Sequence, residues 1–211
     1  MKKKLILASA SPRRADLLRM LGLSFDIVPS RVSEDLNPPL GPADHVLEIA
    51  RRKVRAVAQQ YRKEIVLGAD TVVALEDEIL EKPQDRDHAA QMLARLSGKT
   101  HRVFTGVTLT DTATGKTLSD VAVTGVTIRP LSSEDIQRYV ATEEPLDKAG
   151  AYAAQGRAAV FVESVSGCFY NVVGLPLTCF WTLLEQLTGT APWGWISSQT
   201  DTPDLFSPPA S

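Results

Sequence analysis

The apolar run Leu5-Ile6-Leu7 passes through Ala8-Ser9-Ala10-Ser11-Pro12 directly into a helical pattern, Leu17, Leu18 and Leu21. Few local structures satisfy that order. A short buried strand must end at the serines, and Ser11 as N-cap with Pro12 at the first helical position starts a helix at once. The N–H groups of the first turn then point unpaired toward the strand end, where a helix terminus favours an anion. Arg13 and Arg14 occupy that same turn. Cations there oppose the helix dipole unless an anion lies between them, so the corner reads as a phosphate site built from Ser9, Ser11, Arg13 and Arg14. The alternative is that the arginines only solubilise the first turn. The glycine patterns of the P-loop and of dinucleotide-binding turns are absent.

Strand-like and helix-like segments alternate down the chain without an internal repeat, which predicts an α/β or α+β fold. Gly22 closes the first helix and Phe25–Val28 forms a short strand, followed by a polar loop from Pro29 to Pro42. A second helix is predicted from Ala43 to about Tyr61, with Val46, Ile49, Ala50, Val54, Val57 and Tyr61 as its apolar stripe and Lys53 on the edge of it. Glu64–Ala69 reads as a buried strand ending at Asp70, and Thr71–Leu75 continues extended to the acidic turn Glu76-Asp77-Glu78, from which Ile79-Leu80 returns. The stretch from Gln84 to Asp87 opens a third helix that Gly98 stops. Arg102–Thr110 and Thr117–Ile128 form an antiparallel pair, Ser132 or Ser133 caps a short helix through Tyr139, Ala158–Val165 is a strand, and a last helix spans Pro176 to Gly189. The Ser-, Thr- and Pro-rich segment 190–211 reads as a disordered tail outside a domain of residues 1–189.

Composition excludes several classes. With 211 residues, 44% hydrophobic and 23% charged, the chain suffices for one domain or two intimate lobes. A formal net charge of -2 leaves no broadly basic surface for duplex nucleic acid. The basic residues Arg51, Arg52, Lys53, Arg55, Arg62 and Lys63 interleave with an apolar stripe, and few aromatics offer stacking for single strands, so no nucleic-acid partner is expected. Cys168 and Cys179 lack metal-ligand spacing and suit a reducing compartment. The apolar run after Met1-Lys2-Lys3-Lys4 is too short for a signal peptide, and no stretch reaches transmembrane length. A cytoplasmic protein with no membrane partner is expected.

Several polar residues stand where the pattern does not require them. Asp70 follows a buried strand, either as a turn carboxylate or as a catalytic one. Lys53 either snorkels from its helix or reaches a ligand. Lys82, Glu34 and Asp35 lie in polar loops, and Lys148 and Gln155 flank the small-residue segment Ala149–Ala154, which lets backbone approach a ligand closely. Together these supply cations for a polyphosphate, carboxylates for a divalent ion or a water, and an amide for a base edge, the inventory of phosphoanhydride hydrolysis. His45, His88 and His101 lie in contexts that need no chemistry.

Six ordered motifs carry a family resemblance. Ala8-Ser9-Ala10-Ser11-Pro12-Arg13-Arg14, Gly68-Ala69-Asp70-Thr71-Val72-Val73, Glu81-Lys82-Pro83, Leu96-Ser97-Gly98 with His101 and Thr105-Gly106-Val107, Asp147-Lys148-Ala149-Gly150-Ala151-Tyr152 with Gln155-Gly156, and Asn171-Val172-Val173-Gly174-Leu175-Pro176 resemble the Maf family of nucleoside triphosphate pyrophosphatases, over Lys4 to Thr188. The resemblance implies an elongated α/β fold of the inosine triphosphatase-like kind, with a mixed sheet and two lobes around a cleft. It implies hydrolysis of a nucleoside triphosphate to monophosphate and pyrophosphate with Mg²⁺ or Mn²⁺, and a homodimer. Arg13 matches the family's phosphate-binding and specificity arginine and Arg14 the one beside it, Lys53 and Lys82 its substrate-binding lysines, and Asp70 its proton acceptor, with metal ligation the other role open to that carboxylate. Thr71 and Gln155 match positions of base choice. Glu34 matches a loop carboxylate associated with metal, although Ser33 stands where the family more often has an aspartate. The segment from Asp147 to Tyr152 with Gln155 looks like the subgroup acting on dTTP and UTP. The subgroup preferring 7-methylguanosine triphosphate carries a glutamate there. A link of the family to septum formation and cell division leaves open a nucleotide-binding regulator without turnover.

Overall fold

The computed structural model describes residues 3–196. Strand β1 (Leu5–Leu7) leads into helix α1 (Pro12–Met20) and strand β2 (Phe25–Ile27). Helix α2 (Pro42–Ala58) precedes β3 (Ile65–Leu75), β4 (Glu78–Leu80) and α3 (Arg86–Leu96). The long strands β5 (Thr100–Asp111) and β6 (Thr117–Ile128) follow, then α4 (Ser133–Val140), β7 (Val162–Ser166), α5 (Phe169–Val173) and α6 (Leu177–Thr188). The strands form one seven-stranded mixed sheet in the order β2-β1-β3-β5-β6-β7, with β4 also on β3. This is the mixed α/β architecture that the alternation of segments predicts.

The decisive element is β3. One edge pairs antiparallel with β5 from Ile65 to Ala74. The other edge pairs with β1 only as far as Leu67 and with β4 only from Val73. Residues 68–72 therefore have no strand on that side, and the sheet opens there. Side chains along β3 alternate between faces. Ile65, Leu67 and Ala69 join the core built on α1 and α6 with Leu5, Leu18, Phe180 and Leu184. Val73 and Leu75 join a second core under α3 and α4, with Leu80, Met92, Leu93 and Tyr139. Val66, Val72 and Ala74 face the other way, toward the apolar stripe of α2, which supplies Val46, Val54 and Val57.

Helix α2 lies close on the sheet because two glycines leave room for it. A Cβ at Gly68 would stand 2.6 Å from Val54 Cγ2 and 2.9 Å from the Ala50 carbonyl oxygen. A Cβ at Gly106 would stand 2.5 Å from the Val46 carbonyl oxygen. The neighbouring strands β3 and β5 thus present bare backbone to one helix.

Three segments differ from expectation. Only the second half of the strand predicted over Ala158–Val165 is extended. Arg157–Phe161 is a 3-10 turn that buries Ala158 and Phe161 in the second core, while the Phe161 carbonyl accepts from Arg129 N at 2.9 Å. The five-residue helix α5 was not anticipated, being too short to show a helical period. The first residues of the tail expected from residue 190 are structured. Pro192–Trp195 forms a 3-10 turn, Trp195 enters the first core, Trp193 packs edge-on against Trp181 with centroids 5.2 Å apart, and Ile196 bridges to Leu23. The remainder of that expected tail, residues 197–211, lies outside the described residues.

Candidate active site

A cleft of about 410 Å³ opens along the unpaired edge of β3, with Ser9–Arg14, Glu34, Lys53, Asp70, Thr71, Lys82, Lys148 and Gln155 all on its wall. The structure thus brings together every residue singled out from sequence except Asp35, whose carboxylate accepts from Ser33 Oγ at 3.0 Å outside the lining.

Ser11 occupies the N-cap of α1 with Pro12 following, but its hydroxyl caps nothing. Ser9 does the local work. Its hydroxyl accepts from Ser11 N at 3.2 Å and from Arg14 Nη1 at 3.0 Å. Arg14 is buried and also donates from Nε to the Gly174 carbonyl at 2.8 Å and from Nη2 to Thr71 Oγ1 at 3.1 Å. Burial lowers its pKa, the charges of Asp70 and Glu34 oppose that, and the guanidinium remains charged. Its donors are largely committed inside the protein, so Arg14 ties the α1 corner to β3 and to the loop after α5. Arg13 is different. It makes no hydrogen bond or ion pair among the described residues and faces the cleft half-buried.

Asp70 and Thr71 sit at the gap in β3 on opposite faces of the strand. Asp70 points toward α2, where Lys53 lies between Ala50 and Val54 on the turn that packs against Gly68. Lys53 Nζ donates to Asp70 Oδ1 at 2.7 Å and pairs with Glu34 Oε1 at 2.6 Å. The lysine and Asp70 are both buried, whereas the Glu34 side chain is 58% exposed. Partial burial of Glu34 disfavours its charge, but the hydrogen bond and charge of Lys53, with Lys82 and Arg14 behind it, outweigh this and hold its pKa below the ordinary 4.5. Lys82 is exposed and forms no ion pair among the described residues. Thr71 faces the other core, where its hydroxyl meets Thr105 Oγ1 at 2.9 Å.

One stretch of the cleft wall is less polar. Val73, Val103, Val172, Ala149 and Ala153 line it, with Gln155 exposed at the wall and Lys148 paired to Asp147. Gly150 adopts φ of 67°, and a Cβ there would stand 2.9 Å from Val73 Cγ1, so this turn lies directly against β3. Sequence reasoning assigned nothing to Tyr152 or His101. Tyr152 lines the cleft, and its hydroxyl shares a 2.8 Å hydrogen bond with His101 Nε2. Burial pushes the His101 pKa down from 6.5 to about 4, so the ring is neutral. Only the tertiary fold reveals this pair, because 51 residues separate its members. The contribution of Gly174 was also missed. It acts through its carbonyl, which residue type does not signal.

The sequence comparisons with known proteins point to one family. The model of the family described as Maf-like protein matches residues 4–187. A dTTP/UTP pyrophosphatase of Moorella thermoacetica is 50% identical over 191 residues, covering 90% of this chain and 98% of that protein. The dTTP/UTP pyrophosphatase of Escherichia coli strain K12 is 49% identical over 86% of this chain and 92% of its own length. That of Caldicellulosiruptor saccharolyticus is 45% identical over 88% of this chain and 95% of its own. Among solved structures, protein VC0702 from Vibrio cholerae aligns with 12% identity and a TM-score of 0.37 over 72% of this chain and 89% of that one, too distant to inform the site. With five of the six motifs contributing residues to one cleft, and a family match spanning nearly all of the described residues, this chain belongs to the Maf family.

Proposed function

We propose that this protein hydrolyses dTTP and UTP to the nucleoside monophosphate and pyrophosphate, clearing such nucleotides from the pool. The observation that carries the reading is the division of charge in the cleft. Lys53 is bound by Asp70 and Glu34, while Arg13 and Lys82 line the same cleft with no hydrogen bond or ion pair among the described residues. Unpaired cations beside a buried carboxylate suit a triphosphate whose α-phosphorus is attacked by water. The names of relatives at 45–50% identity support the same reaction.

In this reading Arg13 and Lys82 neutralise phosphate oxygens, and the first-turn N–H groups of α1 add a partial positive charge. Asp70 orients the attacking water and accepts its proton, and Lys53 fixes the Asp70 carboxylate in place. Gln155 presents an amide to the pyrimidine N3–H and carbonyl edge, having both donor and acceptor. Glu34 and Asp70 converge on one nitrogen, and no cluster of three or more His, Cys, Asp or Glu suited to a metal occurs among the described residues. Two carboxylates fit a divalent cation only if the triphosphate supplies further oxygens, as Mg²⁺ commonly demands. Mg²⁺ or Mn²⁺ held there would lower the pKa of water and offset phosphate charge. No helix among the described residues is long and apolar enough to cross a membrane.

The test is pyrophosphate release from a panel of nucleoside triphosphates, including 7-methylguanosine triphosphate, with Mg²⁺ and with Mn²⁺. Release from dTTP and UTP is expected, with Asp70→Asn lowering kcat about 100-fold or more if Asp70 is the base. Tight nucleotide binding without release would establish a regulator instead, and wild-type turnover in folded Asp70→Asn would remove Asp70 from the chemistry.

A further inference from the structure

The segment that carries Lys148 and Gln155 has little regular structure to hold it. It contains the 3-10 turns Glu144–Asp147 and Ala149–Ala151, joined by irregular backbone. One carboxylate closes it on itself. Glu144, at its start, accepts from Arg157 N at its end with both oxygens, at 3.0 and 3.2 Å. The buried Tyr139 of α4 donates its hydroxyl to Glu144 Oε1 at 3.0 Å and accepts from Ala153 N at 3.2 Å. The two backbone N–H groups so captured, those of Ala153 and Arg157, stand two residues to either side of Gln155. Gly156 lies directly against the clamp, for a Cβ there would fall 2.2 Å from Glu144 Oε1. Neither Glu144 nor Tyr139 lines the cleft.

We propose that Glu144 and Tyr139 are positioning residues for nucleobase recognition, acting on Gln155 through the backbone on both sides of it. A carboxylate that accepts several hydrogen bonds fixes a loop more firmly than neutral pairs do, since charge-assisted bonds are roughly twice as strong. Burial and the bond to Glu144 raise the Tyr139 pKa, so its hydroxyl stays a donor to the carboxylate. Without the pair, the loop keeps the bond from Gly150 N to the Glu81 carbonyl at 3.2 Å and the Tyr152–His101 bond, both on the N-terminal side of Gln155, while the Gly156 N to Ala153 carbonyl bond at 2.9 Å closes only the local turn. The phosphate end, built from α1, β3 and α2, shares no hydrogen bond with the clamp. Loss of the clamp therefore blurs base reading and spares the chemistry. This rests on the proposed base-reading role of Gln155.

The experiment measures kcat and KM for UTP, CTP and GTP, with thermal melts, in Glu144→Ala, Glu144→Gln, Tyr139→Phe, Gly156→Ala and Gln155→Ala. In Glu144→Ala the KM for UTP is expected to rise about tenfold or more, with kcat within about threefold of wild type and the UTP preference over CTP falling about tenfold. Glu144→Gln keeps one acceptor oxygen and recovers part of that loss. Gly156 has φ of -119°, which alanine tolerates, so Gly156→Ala displaces the Glu144 carboxylate without removing it and gives the same signature. These last two variants carry the measurement if Glu144→Ala does not fold. A uniform loss across the three bases, or a fall in kcat with base preference intact, overturns the proposal in favour of a merely structural role. If Gln155→Ala flattens the preference and the clamp variants do not, the clamp fails while Gln155 stands. If Gln155→Ala leaves preference unchanged, base reading by Gln155 falls and the clamp with it.

Discussion

Replacing Gly68 by alanine sets two effects of opposite sign against each other. Gly68 carries no positive φ, and in such a position alanine restricts the unfolded chain and gains about 0.4–1 kcal/mol. The folded protein has no room for it. The new Cβ would lie 2.6 Å from Val54 Cγ2, 2.9 Å from the Ala50 carbonyl oxygen and 3.3 Å from Val54 N. Optimal carbon contacts lie at about 3.5–4.0 Å, so α2 must withdraw from β3 by about 1 Å. Two of the three atoms belong to the helix backbone, and no rotamer change relieves them. Overpacking of this kind costs about 1–3 kcal/mol, which exceeds the entropic gain. A net loss of about 1–2 kcal/mol is expected, seen as a melting temperature lower by about 2–8 °C. The functional effect is larger. Lys53 stands on the turn that must move, and its 2.7 Å bond to Asp70 does not survive a displacement of that size. A misplacement of about 1 Å lowers kcat/KM by about 100-fold. Pyrophosphate release and thermal unfolding, measured on Gly68→Ala beside Gly125→Ala, whose Cβ meets nothing closer than 3.8 Å, check both numbers. A Gly68→Ala protein that melts at or above wild type, with kcat/KM within about twofold, refutes the reasoning.

The two neighbouring arginines should separate cleanly. Arg13→Ala is expected to lower kcat/KM about 100-fold with an unchanged melting temperature, because the residue faces the cleft and makes no hydrogen bond or ion pair among the described residues. Arg14→Ala strands the Ser9 and Thr71 hydroxyls and the Gly174 carbonyl, and should cost about 3 kcal/mol or more, a drop of roughly 6–12 °C. Equal melting temperatures for the two variants would contradict this division. His101 gives a pH dependence. Its pKa falls from 6.5 in the unfolded chain to about 4 in the folded one, so the unfolded state binds the extra proton between those values. Stability is full above pH 6.5 and declines as pH drops toward 4, by about 3 kcal/mol across the window. Urea unfolding at about pH 7 and about pH 4.5 should show that decline, and His101→Gln should lose this part of it; identical pH dependence in both proteins would exclude His101 as its source.

The sequence by itself determined the local units, because periodicity and capping act within a few residues. The strand and helix around Ser11-Pro12, the antiparallel pair joined near Gly115, and the capped helix after Ser132 are all found as read. The six motifs also identified the family, since their order and spacing are sequence properties. Short elements without a full period, such as α5 and the turn Arg157–Phe161, were not legible, for their conformation is set by burial against distant residues. Tertiary structure alone decided what each site residue does. Arg13 and Arg14 are chemically identical neighbours on the same cleft wall, yet Arg14 is buried and bound within the protein, where Gly174, 160 residues away, takes its Nε–H. Lys53 on the edge of an apolar stripe was equally consistent with snorkelling. It is an active-site candidate because Gly68 and Gly106 let α2 settle on a strand whose edge lacks a partner at residues 68–72. Side-chain chemistry is written residue by residue, but the desolvation and pairing that give it a role depend on neighbours that only the folded chain supplies.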